Sequence, residues 1–199
     1  MARYLIWNDI HAGSSIGLME PIDFLGDVVT NLFQKNELYD LFLSIGDNLD
    51  FAGCKKKDVA HLAAVYEDIN KIRSSKFKHI DGNHERMDTV NNYIFHEDVV
   101  FAHGDFEKWG YEKAMNYRTK SHGASAFKRS VIIPTIEFAE KFGVNRATKK
   151  FKEAASKLAK ELGCHTYVCG HIHPKKRLDF IYDGIRIIVL PRGVNELFI

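Results

Sequence analysis

Short apolar runs recur along the chain and alternate with segments of helical periodicity. Five runs have the length and composition of buried strands: residues 4–7, 41–43, 77–80, 99–101 and 166–169. After the first run, Pro21 begins a helix with four apolar residues at helical spacing, which are Phe24, Val28, Leu32 and Phe33. Since this helix connects two apolar runs, the pattern predicts a βαβ unit and an α/β fold.

The rest of the chain continues this alternation and then departs from it. A second helix follows Lys55-Lys56-Lys57, and its predicted inward residues are Val59, Leu62, Val65, Tyr66 and Ile69. Residues 91–96 and 97–102 read as short strands, whereas 107–163 show no strand alternation. That segment instead predicts a helix from Pro134 to Phe142 and a longer basic helix, capped by Asn145 or Thr148.

The basic helix and the C-terminus complete the predicted elements. The residues expected to face inward on the basic helix are Phe151, Ala154, Ala155, Leu158 and Leu162. Residues 177–182 and 185–190 flank Asp183-Gly184, a dipeptide typical of two-residue hairpin turns. Residues 193–199 predict one further strand.

Polar side chains that bind metal ions follow the five apolar runs directly. They are Asp9 and His11, Asp47 and Asp50, Asn83 and His84, His103, and finally His171 and His173. In open α/β sheets ligands bind outside the carboxyl ends of the strands, so these side chains are expected to form one site. Asp47, at the end of the second run, is expected to be shared between two metal ions.

The order of these motifs resembles the calcineurin-like metallophosphoesterase superfamily. Its pattern of Asp-x-His, Gly-Asp-x-x-Asp, Gly-Asn-His-Asp/Glu, a lone His and Gly-His-x-His is filled between Asp9 and His173. The resemblance implies a four-layer α-β-β-α sandwich with a helical insertion before the last metal motif. We therefore expect a single domain over residues 1–199, in which 107–162 form a basic, cap-like insertion.

The resemblance also implies roles for individual residues. One metal ion is expected to be held by Asp9, His11, Asp47 and His173, and the other by Asp47, Asn83, His103 and His171. Metal-bound hydroxide is then expected to attack phosphorus in line with the leaving group. His84, oriented by Asp50, is expected to contact the phosphate or protonate the leaving group. Mn²⁺ is the expected metal, and Fe²⁺ and Zn²⁺ fit the same ligands.

The charge of the chain is unevenly distributed. Residues 105–161 contain thirteen Lys/Arg and seven Asp/Glu, a net of +6, against −4 for the remainder. Two interpretations are open: the lysines solvate a helix that packs on the domain's own flank, or they form a lid that attracts phosphorylated substrates. In the lid interpretation His122, Lys128 and Arg129 are candidate substrate-binding residues.

Composition adds expectations about the compartment. The three cysteines have no metal-motif spacing, which predicts free thiols in a reducing cytoplasm. The first strand begins at once, leaving no room for a removable signal peptide. No apolar run approaches the length that spans a bilayer. The sequence leaves the oligomeric state open.

The motif details narrow the expected reaction. Phe51 follows Asp50 where the Ser/Thr protein phosphatases carry Asp-Arg-Gly, which argues against that group. The layout is closest to UDP-2,3-diacylglucosamine pyrophosphohydrolase-like members, although His84 stands where most of these have Arg. The expected function is hydrolysis of phosphodiester, nucleotide or pyrophosphate bonds in a small phosphorylated substrate. The alternatives are a small nuclease acting on nucleic acid and a non-catalytic binding module on the same fold.

Overall fold

The computed structural model describes residues 1–14, 17–85, 92–121 and 147–199. In these ranges the strands are β1 (Arg3–Asn8), β2 (Leu41–Ile45), β3 (Phe77–Ile80), β4 (Tyr93–His96), β5 (Val99–Ala102), β6 (Thr166–Cys169), β7 (Leu178–Tyr182), β8 (Ile185–Val189) and β9 (Gly193–Phe198). The α-helices are α1 (Pro21–Gln34), α2 (Val59–Lys71), α3 (Asp105–Trp109), α4 (Tyr111–Ser121) and α5 (Lys149–Glu161), with a short 3-10 helix at Lys56–Asp58.

The strands form two sheets. The four-stranded sheet has the order β3-β2-β1-β9, in which β1, β2 and β3 are parallel and β9 is antiparallel to β1. The five-stranded sheet has the order β4-β5-β6-β8-β7, with a parallel centre and an antiparallel strand at each edge. Each of the five strands that precede a predicted ligand motif, which are β1, β2, β3, β5 and β6, has a parallel neighbour in its sheet, and of these only β3 is an edge strand.

Side-chain alternation along the strands builds the layers. On β1, Tyr4 and Ile6 pack into the cluster between the two sheets, whereas Leu5 and Trp7 pack on the side of α1 and α2. Because successive residues of a strand point to opposite faces, one buried strand serves two cores. On the far side, Val100 and Tyr167 contact the layer formed by α5. The predicted α-β-β-α sandwich is confirmed.

Helix α5 is the outer layer of the five-stranded sheet. The side chain of Thr148 caps it by accepting a 3.2 Å hydrogen bond from the N–H of Phe151, as one of the two predicted caps. Phe151, Ala155 and Ala159 are fully buried against the sheet, and its lysines lie toward solvent. Helix α5 is the part of segment 107–162 that packs on the sheet. For this helix the structure agrees with the first interpretation, in which the lysines solvate a helix on the domain's own flank.

Two predicted inward residues are exposed, so those predictions are wrong. Phe33 on α1 is 86% exposed, because nine residues separate it from buried Phe24 and place it on the opposite side of a 3.6-residue helix. Val59 is 37% exposed, because α2 begins its contact with the sheet one turn later, at Leu62.

The remaining sequence predictions concern the helix after Pro134, the three cysteines and membrane-spanning segments. The predicted helix from Pro134 to Phe142 lies outside the described residues. Cys54, Cys164 and Cys169 are buried free thiols, as predicted. Within the described ranges, no helix combines the length and the apolar character that crossing a membrane requires.

Candidate metal centre

The side chains predicted to bind metal meet at one edge of the sandwich. Asp9 and His11 follow β1, Asp47 follows β2, and Asn83 follows β3. His103 follows β5, and His171 and His173 follow β6. The structure brings these residues of both sheets together and buries them, and His173 is the least buried, with its side chain 12% exposed.

Left-handed backbone conformations are concentrated at this edge. Seven non-glycine residues in the described ranges have positive φ, and five of them are predicted ligands: Asp9 (52°), His11 (53°), Asp47 (51°), His171 (59°) and His173 (47°). Asp and His tolerate this region better than most residues, but it still costs free energy. The loops are held by backbone hydrogen bonds such as His11 N–H to Asp47 C=O at 2.8 Å. The fold therefore sustains strain where the ligands turn inward.

The first ligand group consists of Asp9, His11 and His173, whose ligand atoms lie within 4.8 Å of one another. Asp9 Oδ1 is 3.0 Å from His173 Nε2. The Nδ1 of His11 lies 3.2 Å from Asp50 Oδ2, which fixes the ring and leaves Nε2 facing the group. Among the described residues this buried Nε2 has no hydrogen-bond partner, as expected of a nitrogen positioned for a cation.

The second group surrounds His103 Nε2. This atom lies 3.0 Å from Asn83 Oδ1, 3.2 Å from Asp47 Oδ2 and 3.1 Å from His171 Nδ1. A single proton on Nε2 can serve only one of these three acceptors. Neighbouring ligand atoms on an octahedral ion with bonds of 2.1 Å are about 3.0 Å apart, close to the three distances observed here. One cation could therefore bind His103 Nε2 and its three neighbours, Asn83 Oδ1, Asp47 Oδ2 and His171 Nδ1. The donor set thus fits a bound metal ion.

The electrostatics of the centre favour a cation. Burial raises the pKa of Asp9, Asp47 and Asp50, but neighbouring histidines outweigh this effect and bring each carboxyl pKa below its usual range. Burial, reinforced by nearby positive groups, lowers the pKa of His11 and His171 and keeps them neutral, as ligation requires. Burial lowers the pKa of His103, but the neighbouring Asp47 carboxylate outweighs this and raises it to about 9. A bound metal ion would replace that proton as the positive charge beside Asp47.

The predicted pair of His84 and Asp50 is also present in the geometry. His84 Nδ1 lies 2.9 Å from Asp50 Oδ1, and the His84 ring lies 4.8 Å from the His11 ring between centroids. The sequence did not predict that Asp50 also contacts His11 through its other oxygen. Asp50 therefore orients both a predicted ligand and a predicted acid.

The role of Glu85 was not predicted from the sequence. Its buried carboxylate accepts hydrogen bonds from four backbone N–H groups: Gly82 at 2.7 Å, Asp47 at 3.0 Å, Asn48 at 2.9 Å and Leu49 at 3.0 Å. It joins the loop after β2 to the loop after β3. The acidic fourth position of the Gly-Asn-His-Asp/Glu motif was visible in the sequence, but its partners depend on how the two loops meet.

Several other supporting residues also escaped prediction. Asn8 Nδ2 donates to Asp9 Oδ2 at 2.8 Å, and Arg192 Nε donates to the Asp9 carbonyl at 2.9 Å. Gly170 is required for close approach, because a Cβ there would collide with the Asp9 carboxylate. Only the glycine preceding His171 was a visible signal in the sequence.

Helix α3 forms one wall of the centre. It starts at Asp105, two residues after His103, and its Trp109 ring lies edge-to-face with the His171 ring at 4.7 Å between centroids. Lys108 Nζ lies 5.7 Å from the centre of the Trp109 ring. The structure thus places an aromatic and a cationic side chain beside the predicted ligands. The candidates His122, Lys128 and Arg129 lie outside the described residues.

A neighbouring acidic group has a structural explanation. His79, Asp81 and Glu85 also bring potential ligand atoms together. Here Asp81 accepts hydrogen bonds from Tyr66 at 3.0 Å and 3.1 Å, and His79 contacts Ser44 and Asp81 at 2.8 Å and 3.2 Å. Because these groups satisfy one another, they brace the loop that carries Asn83.

Comparison with known proteins adds support at the level of fold. The sequence matches no protein-family model and no curated protein. A dimetal phosphatase from Danio rerio is similar in structure, with a TM-score of 0.50 and 11% identity, over 98% of this chain and 91% of the other. A predicted phosphoesterase from Streptococcus pneumoniae (TM-score 0.46, 11% identity, 99% and 83% covered) and a cold-active protein-tyrosine phosphatase from Shewanella (0.44, 13%, 99% and 75%) are more distant. The chain has the metallophosphoesterase fold.

Proposed function

We propose that this protein is a phosphohydrolase that uses two divalent cations to hydrolyse phosphodiester, nucleotide or pyrophosphate bonds. The observation that carries the proposal is the convergence of seven side chains with oxygen or nitrogen ligand atoms at the end of the sandwich where strands of both sheets finish. The buried Nε2 atom of His11, which faces the first ligand group, has no hydrogen-bond partner within the described ranges. Such atoms are costly unless an ion satisfies them.

The proposed ligands divide into two overlapping sets. Asp9, His11, Asp47 and His173 would hold one cation, and Asp47, Asn83, His103 and His171 the other, with manganese as the proposed metal. Bound divalent cations polarise phosphoryl oxygens and provide an activated water at neutral pH. The protein supplies the remaining functions through its own side chains.

His84 is the proposed proton donor to the leaving group. Its Nδ1 contacts Asp50 at 2.9 Å and its side chain is 14% exposed, and the proposed donor atom is Nε2. The Asp50 carboxylate favours the protonated imidazole and fixes its orientation. Lys108 and Trp109, on the wall beside His171, are positioned to contact the part of a substrate beyond its phosphate.

Hydrolysis by manganese-loaded protein tests the proposal. The substrates are bis-p-nitrophenyl phosphate, p-nitrophenyl phosphate, nucleotides, a UDP-sugar pyrophosphate and short single-stranded DNA. We expect turnover of at least one of the first four classes, and a slowing of roughly 10²–10⁴-fold in His84→Ala, with metal content unchanged. His61→Ala is the matched control, because His61 is exposed on α2 and away from the centre.

Three results would count against this function. Fully metal-loaded protein that hydrolyses none of these substrates would favour a binding module. Activity confined to DNA would favour the nuclease. Equal activity in wild type and His84→Ala would remove His84 from its proposed role.

A further inference from the structure

The turn that begins at Asp50 joins two loops of the metal centre. Within the turn, the Cys54 N–H donates to the Asp50 carbonyl at 3.1 Å. The Asp50 N–H donates to the Ala12 carbonyl at 2.9 Å, in the loop after β1. The Phe51 N–H donates to the His84 carbonyl at 3.0 Å, in the loop after β3. Because the turn is tied to both loops, its backbone has little room to move.

Gly53 lies inside this turn, against the Asp50 carboxylate. Its N–H donates to Asp50 Oδ1 at 2.6 Å, and the same oxygen lies 2.9 Å from His84 Nδ1. The other oxygen, Oδ2, lies 3.2 Å from His11 Nδ1. Asp side chains often accept hydrogen bonds from the backbone of their own turn, which fixes the carboxylate. The Gly53 N–H therefore helps to hold Asp50 between the two imidazole rings.

A side chain at residue 53 would not fit in the turn. A Cβ on Gly53 would lie 2.6 Å from Asp50 Oδ2 and 2.8 Å from Ser14 Cβ, whereas ordinary van der Waals contact begins at 3.4 Å. The φ of Gly53 is not positive, so a left-handed backbone is not the reason for the glycine. Glycine is required at this position for the space that it leaves to Asp50.

Core packing on both sides of Gly53 resists a shift of the turn itself. Phe51 is 6% exposed and Cys54 is 1% exposed, and both belong to the core on the side of α1 and α2. The Phe51 ring also contacts the Tyr66 ring edge-to-face at 5.9 Å between centroids. Since close-packed neighbours hold the backbone, a methyl group at residue 53 would move the Asp50 carboxylate instead.

We propose that Gly53 is a positioning residue for His84, the proposed proton donor. Gly53 leaves room for the Asp50 carboxylate and donates to it, and Asp50 in turn holds His84 Nδ1. His84 Nε2 then gives its proton to the leaving oxygen as the bond from that oxygen to phosphorus breaks. The backbone of His84 is held separately, because its N–H donates to Asp47 Oδ1 at 2.7 Å. A displaced Asp50 would therefore misalign the ring without releasing the residue.

Kinetics on two leaving groups test this role, which rests on the proposed phosphohydrolase function. Protonation of the leaving oxygen matters most when the leaving group is a strong base. Manganese-loaded Gly53→Ala is compared with wild type on bis-p-nitrophenyl phosphate and on diphenyl phosphate, whose phenol is more basic than p-nitrophenol. We expect kcat to fall at least about tenfold further on diphenyl phosphate, in Gly53→Ala as in His84→Ala, with KM nearly unchanged.

The matched control is Gly26→Ala on α1, where an added Cβ would meet no described atom within 4 Å. It is expected to keep the wild-type kcat on both substrates. Adding Gly53→Ala to His84→Ala should not widen the difference between the substrates further, because Gly53 acts through His84. An equal loss on both substrates in Gly53→Ala would overturn the proposal. A variant that does not fold would overturn it too, since the glycine would then serve the fold.

A crystal structure of Gly53→Ala separates this proposal from the proposed function, because it requires no activity. The distance from His84 Nδ1 to Asp50 Oδ1, 2.9 Å here, is expected to exceed about 3.5 Å in the variant, beyond a hydrogen bond. If wild type hydrolyses no substrate while the variant loses this contact, the phosphohydrolase function is wrong and the positioning of His84 by Gly53 stands. An unchanged contact in the variant would overturn the positioning role whatever the activity.

Discussion

The buried carboxyl group of Glu107 on α3 makes the stability of the fold depend on pH, and this dependence can be measured. Its side chain is 8% exposed, and burial, reinforced by Asp105, raises its pKa from 4.5 to about 7. Because the folded state holds this proton more tightly than the unfolded state, stability is present below pH 4.5 and falls as the pH rises toward 7. A shift of about 2.5 pKa units corresponds to about 3 kcal/mol of destabilisation at pH 8, as an upper limit.

Glu107→Gln removes this titration while preserving the size of the side chain. Urea unfolding of metal-free wild type and variant at pH 4, 5, 6, 7 and 8 measures the difference in the free energy of unfolding. We expect the variant to gain up to about 3 kcal/mol relative to wild type between pH 4 and 8, with most of the gain between 4.5 and 7.

The control is Glu112→Gln, which removes an exposed carboxylate from the neighbouring helix α4. Its difference from wild type is expected to stay nearly flat across the same range. The reasoning about this buried carboxyl group would be refuted if the difference in the free energy of unfolding between Glu107→Gln and wild type did not change with pH. It would also be refuted if the variant lost stability relative to wild type as the pH rose.

Three further substitutions test packing and the supports of the centre. Phe151→Ala should destabilise the fold by about 3–5 kcal/mol in urea unfolding, because its fully buried ring joins α5 to the sheet; a cost below about 1 kcal/mol would contradict that packing. Gly170→Ala should weaken Mn²⁺ binding in calorimetry by displacing the carboxylate of Asp9, and unchanged affinity would contradict the close approach. Glu85→Gln should lower the free energy of unfolding in urea by about 2–4 kcal/mol, because a glutamine amide cannot accept all four backbone hydrogen bonds. It should also weaken metal binding about 10–100-fold. Wild-type stability and metal affinity in this variant would show that the four hydrogen bonds are dispensable.

The elements that follow from local chemistry were predictable from the sequence. A buried strand is an apolar run, and the polar residue at its end is its neighbour in the chain, so Asp47 and His103 could each be placed at the C-terminal end of a strand. The structure shows that these two strands belong to different sheets. The Asp183-Gly184 hairpin was predictable for the same reason, and both residues have the positive φ (49° and 78°) that its turn requires.

Features that depend on how separate loops meet were not predictable. The exposed position of Phe33 depends on which side of α1 faces the sheet, and the apolar spacing alone allowed either side. The second contact of Asp50 with His11, and the four hydrogen bonds of Glu85, join loops from different strands. Likewise, the contact between Trp109 on α3 and His171 after β6 joins two parts of the chain that are far apart in sequence.

The central claim is that the ligand side chains from both sheets hold two metal ions that share Asp47, and the metal content of the purified chain tests it most directly. After loading with manganese and removal of free ions, elemental analysis should give about two ions per chain for wild type, because seven ligand side chains are present and one is shared. His84→Ala should also retain about two, whereas Asp47→Ala should retain almost none. A wild-type content near zero, or an Asp47→Ala variant that keeps both ions, would contradict the claim.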